Sequence, residues 1–293
     1  MLTACGIYHC ITHIMHQEHN TIRKPIFILG SARSGTSILY QLLSSHPDLC
    51  WFSNITNLNP EHSRLAALNR FTNIPIMKSF IYPSEGERIY TYCGFLDDRK
   101  TTFNTMATTT SDKFNEILRR HLEASGKPRF INKRTANTQR LDCLIHMFPD
   151  AYFIHIIRDG RAVVNSLLRV NWWENTPLWW RSNLTPSLWQ QNGNAPEKLC
   201  ALHWKRNIEE IRHFKSQLSR RYVEIRYENF VHDPRETIQN LMNFCQLYPS
   251  IKYISSLPES LPNMNNKWKE KLSSKQKKTI SQTIDDYLHK LKY

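Results

Sequence analysis

The chain is predicted to adopt an α/β fold of three layers, a central, mostly parallel sheet flanked by helices. Two observations lead there. Two runs of strand length, Ile26–Leu29 and Tyr152–Ile157, each pass into a polar turn that opens a helix. Further strand-length and helical patterns alternate along the chain, the order expected of parallel strands joined by crossover helices. The first run is apolar throughout, as suits a central strand covered on both faces.

The first strand starts after Pro25 and ends at Gly30. A helix is predicted over 35–45, with Ile38, Leu39, Leu42 and Leu43 as its apolar stripe and His46-Pro47-Asp48 as its stop. A second is predicted over 61–70. The stretch 71–110 is punctuated by Pro75, Pro83, Gly86 and Gly94 and has little periodicity. It suits substrate-facing loops and short helices, or an ordinary irregular connection. Asp112 is the candidate N-cap of a helix over 112–125, which buries Phe114, Ile117, Leu118 and Leu122 and ends at Gly126-Lys127-Pro128. A short strand over 129–132 and a helix over 138–147 lead through Pro149-Asp150 into Tyr152–Ile157. A helix over 161–169 completes the second strand–turn–helix unit.

Five of the eight tryptophans (Trp172, Trp173, Trp179, Trp180 and Trp189) fall in the excursion 171–196. They either wedge it onto the body or line an apolar acceptor pocket or lid. A helix over 197–215, a strand at Tyr222–Arg226, a helix over 235–247 with Pro234 at its start, and a helix over 273–291 complete the order. Without repeats or low-complexity tracts, 1–23 reads as a peripheral leader and 24–293 as a single domain.

With 293 residues the chain can bury a substantial core. Its formal charge of +14 admits an acidic cofactor, nucleic acid or anionic surface as partner and chooses none of them. Lysines 267, 269, 271, 275, 277, 278, 290 and 292 carry much of the excess and suit a solvated basic face equally well. Seven cysteines show no CxxC pair, and Cys143, Cys200 and Cys245 fit as small buried hydrophobes. His9, His13 and His16 share a helical spacing but have no acidic ligand among them, so no metal site is expected. No segment approaches the ~18–20 apolar residues of a membrane span, and the leader makes a poor secretory signal. The expectation is a cytoplasmic protein. No pattern argues for or against a homo-oligomer.

Gly30-x4-Gly35 has Walker A glycine spacing, but Thr36-Ser37 stands where that motif needs Lys-Ser or Lys-Thr. Arg33 could supply the missing charge. The amides of 34–37 lie at the positive end of the following helix, and Ser34, Thr36 and Ser37 add hydroxyl donors, so the loop suits a tetrahedral anion. Arg158 emerges directly from a strand, where its fork of donors matches a second phosphate. Ser166, two helical turns on, falls on roughly the same side. Asp159 and Arg161 are expected to tie the turn together.

These residues resemble the sulfotransferases that use 3′-phosphoadenosine 5′-phosphosulfate, in particular the bacterial-type family whose first loop reads Arg-Ser-Gly-Thr-Ser/Thr. The resemblance implies a P-loop-like fold and no metal. It implies that Arg33, Ser34, Gly35, Thr36 and Ser37 grip the 5′-phosphosulfate end, and that Arg158 and Ser166 bind the 3′-phosphate. Gly160 stands where many members have proline. The resemblance extends to 226–230 with Asp233-Pro234 and to Lys267-Trp268-Lys269, which adds Tyr227 and Lys267 as cofactor-binding candidates. It covers about 24–290.

Sulfuryl transfer to a hydroxyl or amine needs a base for the acceptor proton and donors for charge on the transferring group. Arg33 and the loop amides suit the second task. Lys133 resembles a family lysine able to reach the bridging oxygen. For the base, 51–59 offers no carboxylate. Pro83-Ser84-Glu85-Gly86-Glu87 resembles the Pro-x-Glu context of some members, which puts Glu85 first, ahead of Glu87 and Glu61. His46 and His155 read as structural. The acceptor, whether small molecule, lipid or carbohydrate, is not legible. The rivals are a P-loop small-molecule kinase, which lacks its lysine, and a basic nucleic-acid-binding protein, whose arginines would form an exposed stripe rather than sit in turns.

Overall fold

The computed structural model describes residues 22–181 and 184–293. Most of the leader, with Cys5, Cys10, His9, His13 and His16, lies outside the described residues. Five parallel strands, β1 (Ile26–Leu29), β2 (Leu49–Cys50), β3 (Arg129–Lys133), β4 (Tyr152–Ile157) and β5 (Tyr222–Arg226), form one sheet in the order β2-β3-β1-β4-β5. Ile28 of the central strand pairs with Lys133 on one side and Ile154 on the other. The chain fills the β2/β3 side first and crosses to β4 afterwards. The connections leaving β1 and β4 therefore diverge and open a crevice at the carboxyl ends of those strands, the switch point where open α/β sheets bind ligands.

Alternating side chains feed the two faces of the sheet. Phe27, Leu29, Phe130 and Phe153 pack with the helical layer containing α2 (Thr108–Ser125) and α3 (Leu141–Met147). Ile26, Ile28, Ile131, Ile154 and Ile156 pack with Leu39 and Leu43 of α1 (Thr36–Ser44) on the other face. A third cluster joins α4 (Gly160–Leu167), α5 (Pro196–His213) and α8 (Ser274–Lys290) around Trp204. Between them α6 (Tyr227–His232) and α7 (Pro234–Cys245) follow β5. This is the predicted α/β fold.

Several predicted bounds shift. α2 starts at Thr108, so Asp112 lies inside the helix and Ala107 is the cap; Thr110 is buried where a side chain on Gly94 would strike it. The segment predicted as a helix over 61–70 is a 3-10 helix, Ser63–Asn73, held by Asn69 Nδ2 donating to the Trp51 carbonyl and Arg70 Nε to that of Ser125. The helix predicted over 138–147 divides into the 3-10 helix Thr135–Arg140 and α3. The loop-like stretch contains short helices at Pro75–Phe80 and Glu87–Cys93. β2, two residues long, is too short to show in a pattern.

The tryptophans of the excursion act largely as a wedge. Trp173 and Trp189 are buried in the third cluster. Trp180 Nε1 donates to His203 Nδ1 on α5, and Trp189 Nε1 to the Ala195 carbonyl. Trp172 stays exposed.

Candidate active site

The turn after β1 presents an anion cradle. Gly35, in the left-handed region (φ 93°), is the N-cap of α1; no side chain caps the helix and its first turn holds no acid. The first amides of α1 therefore have no side-chain acceptor. Ser31 Oγ and Ser34 Oγ are buried without a hydrogen-bond partner. A Cβ on Gly35 would stand 2.5 Å from Cδ2 of Tyr227, so only glycine lets the loop lie this close to that ring. Arg33 also takes a left-handed conformation (φ 69°) and is exposed at the turn's outer edge, as is Ser37.

The second turn meets the first through Arg33. Its Nε donates to Ser166 Oγ at 2.8 Å, and its carbonyl accepts from Arg158 Nη1 at 2.9 Å. Arg158 is buried yet forms no ion pair among the described residues. Its other nitrogens donate to the Met264 carbonyl (2.8 Å) and Asn265 Oδ1 (3.2 Å), while its guanidinium lies 4.3 Å from the centroid of the Tyr227 ring. Burial pulls Arg158 below its ordinary pKa, opposed by Tyr227, Glu228 and Asp159. Asp159 caps α4 by accepting from Arg161 N–H and pairs with the Arg161 guanidinium, the predicted tie. Tyr227 is sandwiched between the two turns, its hydroxyl accepting from Met264 N–H. Lys267 is exposed at the start of the one-turn helix Trp268–Lys271, two residues beyond Asn265.

The third part of the site comes from β3. Lys133 is almost fully buried, and its Nζ donates to Ser37 Oγ at 3.0 Å while pairing with the carboxylate of Glu85. Glu85 keeps 39% of its side chain exposed, open to an incoming molecule. Its backbone is pinned by Asn132 Nδ2, which donates to the Glu85 carbonyl at 3.1 Å; Asn132 Oδ1 in turn accepts from Tyr90 Oη (3.0 Å) and Asn137 Nδ2. Glu87 starts the following short helix and is exposed, as is Glu61 on a separate turn. Of the predicted residues, the fold thus joins Arg33, Ser166 and Arg158 in one linked set and Ser37, Lys133 and Glu85 in another, both on the β1 turn.

Sequence reasoning missed Asn132, Tyr90 and Asn137, and also the strap residues Met264 and Asn265. An asparagine inside an apolar strand was the only signal for the first group. The buried guanidiniums of Arg134 and Arg140, which follow β3 and both pair with Asp97, were likewise unforeseen. His46 accepts from Asp48 N–H and lies against the Tyr248 carbonyl. His155, fully buried beside Tyr222 Oη (2.7 Å), is pushed down to about 3 by burial and stays neutral.

The chain is similar to known proteins in sequence and in fold. The chain is 25% identical to protein-tyrosine sulfotransferase 1 of Danio rerio over 223 residues, covering 76% of this chain and 53% of that protein. It is 30% identical to protein-tyrosine sulfotransferase 1 of Homo sapiens over 144 residues, or 49% of this chain and 33% of that protein. The chain spans roughly a quarter to two thirds of the length of the curated relatives it matches. In fold it is similar to the crystal structure of a sulfotransferase from Mycobacterium avium, with a TM-score of 0.61 at 15% identity, covering 95% of this chain and 80% of that one. The sequence profile of the sulfotransferase family matches residues 25–249, a span that contains both turns, β3 and Glu85. The chain belongs to the sulfotransferase family.

Proposed function

We propose that this chain transfers the sulfuryl group of 3′-phosphoadenosine 5′-phosphosulfate to an acceptor hydroxyl, with Glu85 as the general base. The observation that carries the reading is the placement of Lys133 Nζ between Ser37 Oγ of the anion loop and the Glu85 carboxylate. One lysine thereby joins the place where a leaving oxygen would sit to the place where an acceptor proton would be taken.

The residues present suit the nucleotide. The uncapped start of α1, Arg33 and the partnerless hydroxyl of Ser34 would hold its 5′ end, while Arg158 and Ser166 would hold the 3′-phosphate. Bound there, it supplies the sulfuryl group and departs as adenosine 3′,5′-bisphosphate. Ser37 and Lys133 neutralise charge on the oxygen that leaves, and the loop amides with Arg33 stabilise the group in transit. Glu85, partly exposed, accepts the acceptor's proton while Asn132 holds its backbone in place. No step calls for a metal.

The names of the curated relatives support a phenolic hydroxyl as the first acceptor to test. The five described cysteines are free, which supports a reducing, cytoplasmic setting that cell fractionation would check. The direct experiment is transfer of labelled sulfate from the nucleotide to phenols, sugars, lipids and peptides, comparing the wild type with Glu85→Gln. Label on at least one acceptor with the wild type, and its loss in the variant, is the expected result. No transfer to any acceptor class by protein that binds adenosine 3′,5′-bisphosphate would overturn the activity while leaving the nucleotide site.

A further inference from the structure

We propose that the lysines beyond Asn265 form an electrostatic collecting surface that steers the polyanionic nucleotide into the crevice between Arg33 and Arg158. The proposal rests on the reading of that crevice as a nucleotide site.

The placement comes from three contacts. Arg158 donates to Met264 and Asn265. The Arg161 guanidinium lies 4.6 Å from the centroid of the Trp268 ring. Arg169, just past the end of α4, donates to the Lys271 carbonyl at 3.1 Å. The segment 264–271 is therefore strapped along α4, from the buried Arg158 to Arg169, three residues beyond Ser166. Lys269 follows Asn265 by four residues, so it lies within about 14 Å of it along the chain. Lys275 and Lys278 follow on α8, Lys275 in its first turn and Lys278 one turn further on.

Two features separate this surface from an ordinary solvated one. Lys267, Lys269, Lys271, Lys275 and Lys278 are all exposed, and none forms an ion pair among the described residues. Glu270 is the one carboxylate in 264–278. In addition, Lys275, Lys277 and Lys278 stand near the N-terminus of α8, with no acid in its first turn, where the helix dipole disfavours positive charge. Lys277 Nζ donates to the Lys269 carbonyl at 2.6 Å and so ties α8 to the strap, whereas Lys275 and Lys278 form no ion pair among the described residues that would offset the dipole.

Such a surface acts on arrival rather than on the bound state. Focused positive potential raises association rates by about 10- to 10³-fold and fades with ionic strength. At physiological salt the screening length is about 8 Å and at about 20 mM it is about 20 Å, so the lysines furthest from the crevice act mainly at low salt.

The test is stopped-flow binding of adenosine 3′,5′-bisphosphate to the wild type and to a Lys269→Gln, Lys271→Gln, Lys275→Gln, Lys278→Gln variant. Lys267 is left intact as a candidate contact. At about 20 mM salt the variant's association rate should fall roughly 10-fold with its dissociation rate unchanged, and the difference should vanish near about 500 mM. An unchanged association rate overturns the proposal. A faster dissociation instead makes the lysines direct contacts and also overturns it. Tighter wild-type binding to a mixed-sequence oligonucleotide than to the bisphosphate would make the face a nucleic-acid surface. Absence of bisphosphate binding by both proteins at every salt concentration would refute the nucleotide reading itself.

Discussion

Arg33 Nε donates to Ser166 Oγ at 2.8 Å, which ties the turn after β1 to the helix after β4 across the sheet's switch point. Because the Arg33 carbonyl also accepts from Arg158, one residue of the first anion turn touches both residues of the second. The two turns are thus joined directly by hydrogen bonds through Arg33.

Replacing Arg158 with alanine removes the buried guanidinium that we propose holds the nucleotide's 3′ end. Affinity for adenosine 3′,5′-bisphosphate should weaken by about 2–5 kcal/mol, as for a desolvated charge contact. Isothermal titration measures it, and unchanged affinity would place the 3′-phosphate elsewhere.

If Lys133 and Arg33 serve charge that develops during transfer, Lys133→Ala and Arg33→Ala should lower turnover more than they weaken bisphosphate binding. Turnover intact at saturating cofactor, with product affinity lost, would reduce both to grips on the nucleotide.

Glu85→Gln keeps the size of the side chain and removes its basicity. Turnover on an alkyl alcohol should fall by roughly 10²- to 10⁴-fold with cofactor affinity nearly constant. A nitrophenol, already ionised, should lose much less. Full activity on the alcohol would move the base to Glu87 or Glu61.

Gly35→Ala forces a side chain into the left-handed region and onto the Tyr227 ring. The loop must shift, at a cost of about 1–3 kcal/mol. A lowered melting temperature and weaker bisphosphate binding are expected together; if neither changes, the loop is not held against Tyr227.

Three buried histidines tie stability to pH. Burial pushes His121 and His203 down to about 4 and His155 down to about 3. The unfolded chain takes up these protons near pH 6.5 and the folded protein does not, so the unfolded state binds more protons between those values. Stability should therefore be greatest above about pH 6.5 and fall as pH drops towards 4, with each histidine contributing about 1.4 kcal/mol per pH unit. Denaturant midpoints measured from pH 7 to pH 4.5 check the sign, and a flat profile would mean these rings meet protons in the folded state.

What the sequence determined by itself was local. Strand-length apolar runs, the glycines at 30 and 35, and Arg158 at the end of its strand each depend on neighbours a few residues away, and periodicity reports such relationships. The order of elements and the two anion turns were therefore legible. Tertiary structure alone decided which distant groups meet. Glu85, Lys133 and Ser37 come from three separate segments and join only because β3 pairs with β1 and a turn beyond β2 folds over both. The Asn132 network and the strap on Arg158 have the same origin, since a buried donor must find a partner wherever the packed chain supplies one. Segments such as Ser63–Asn73, and the true start of α2, followed tertiary bonds against weak local preference. Local periodicity carries no record of those bonds.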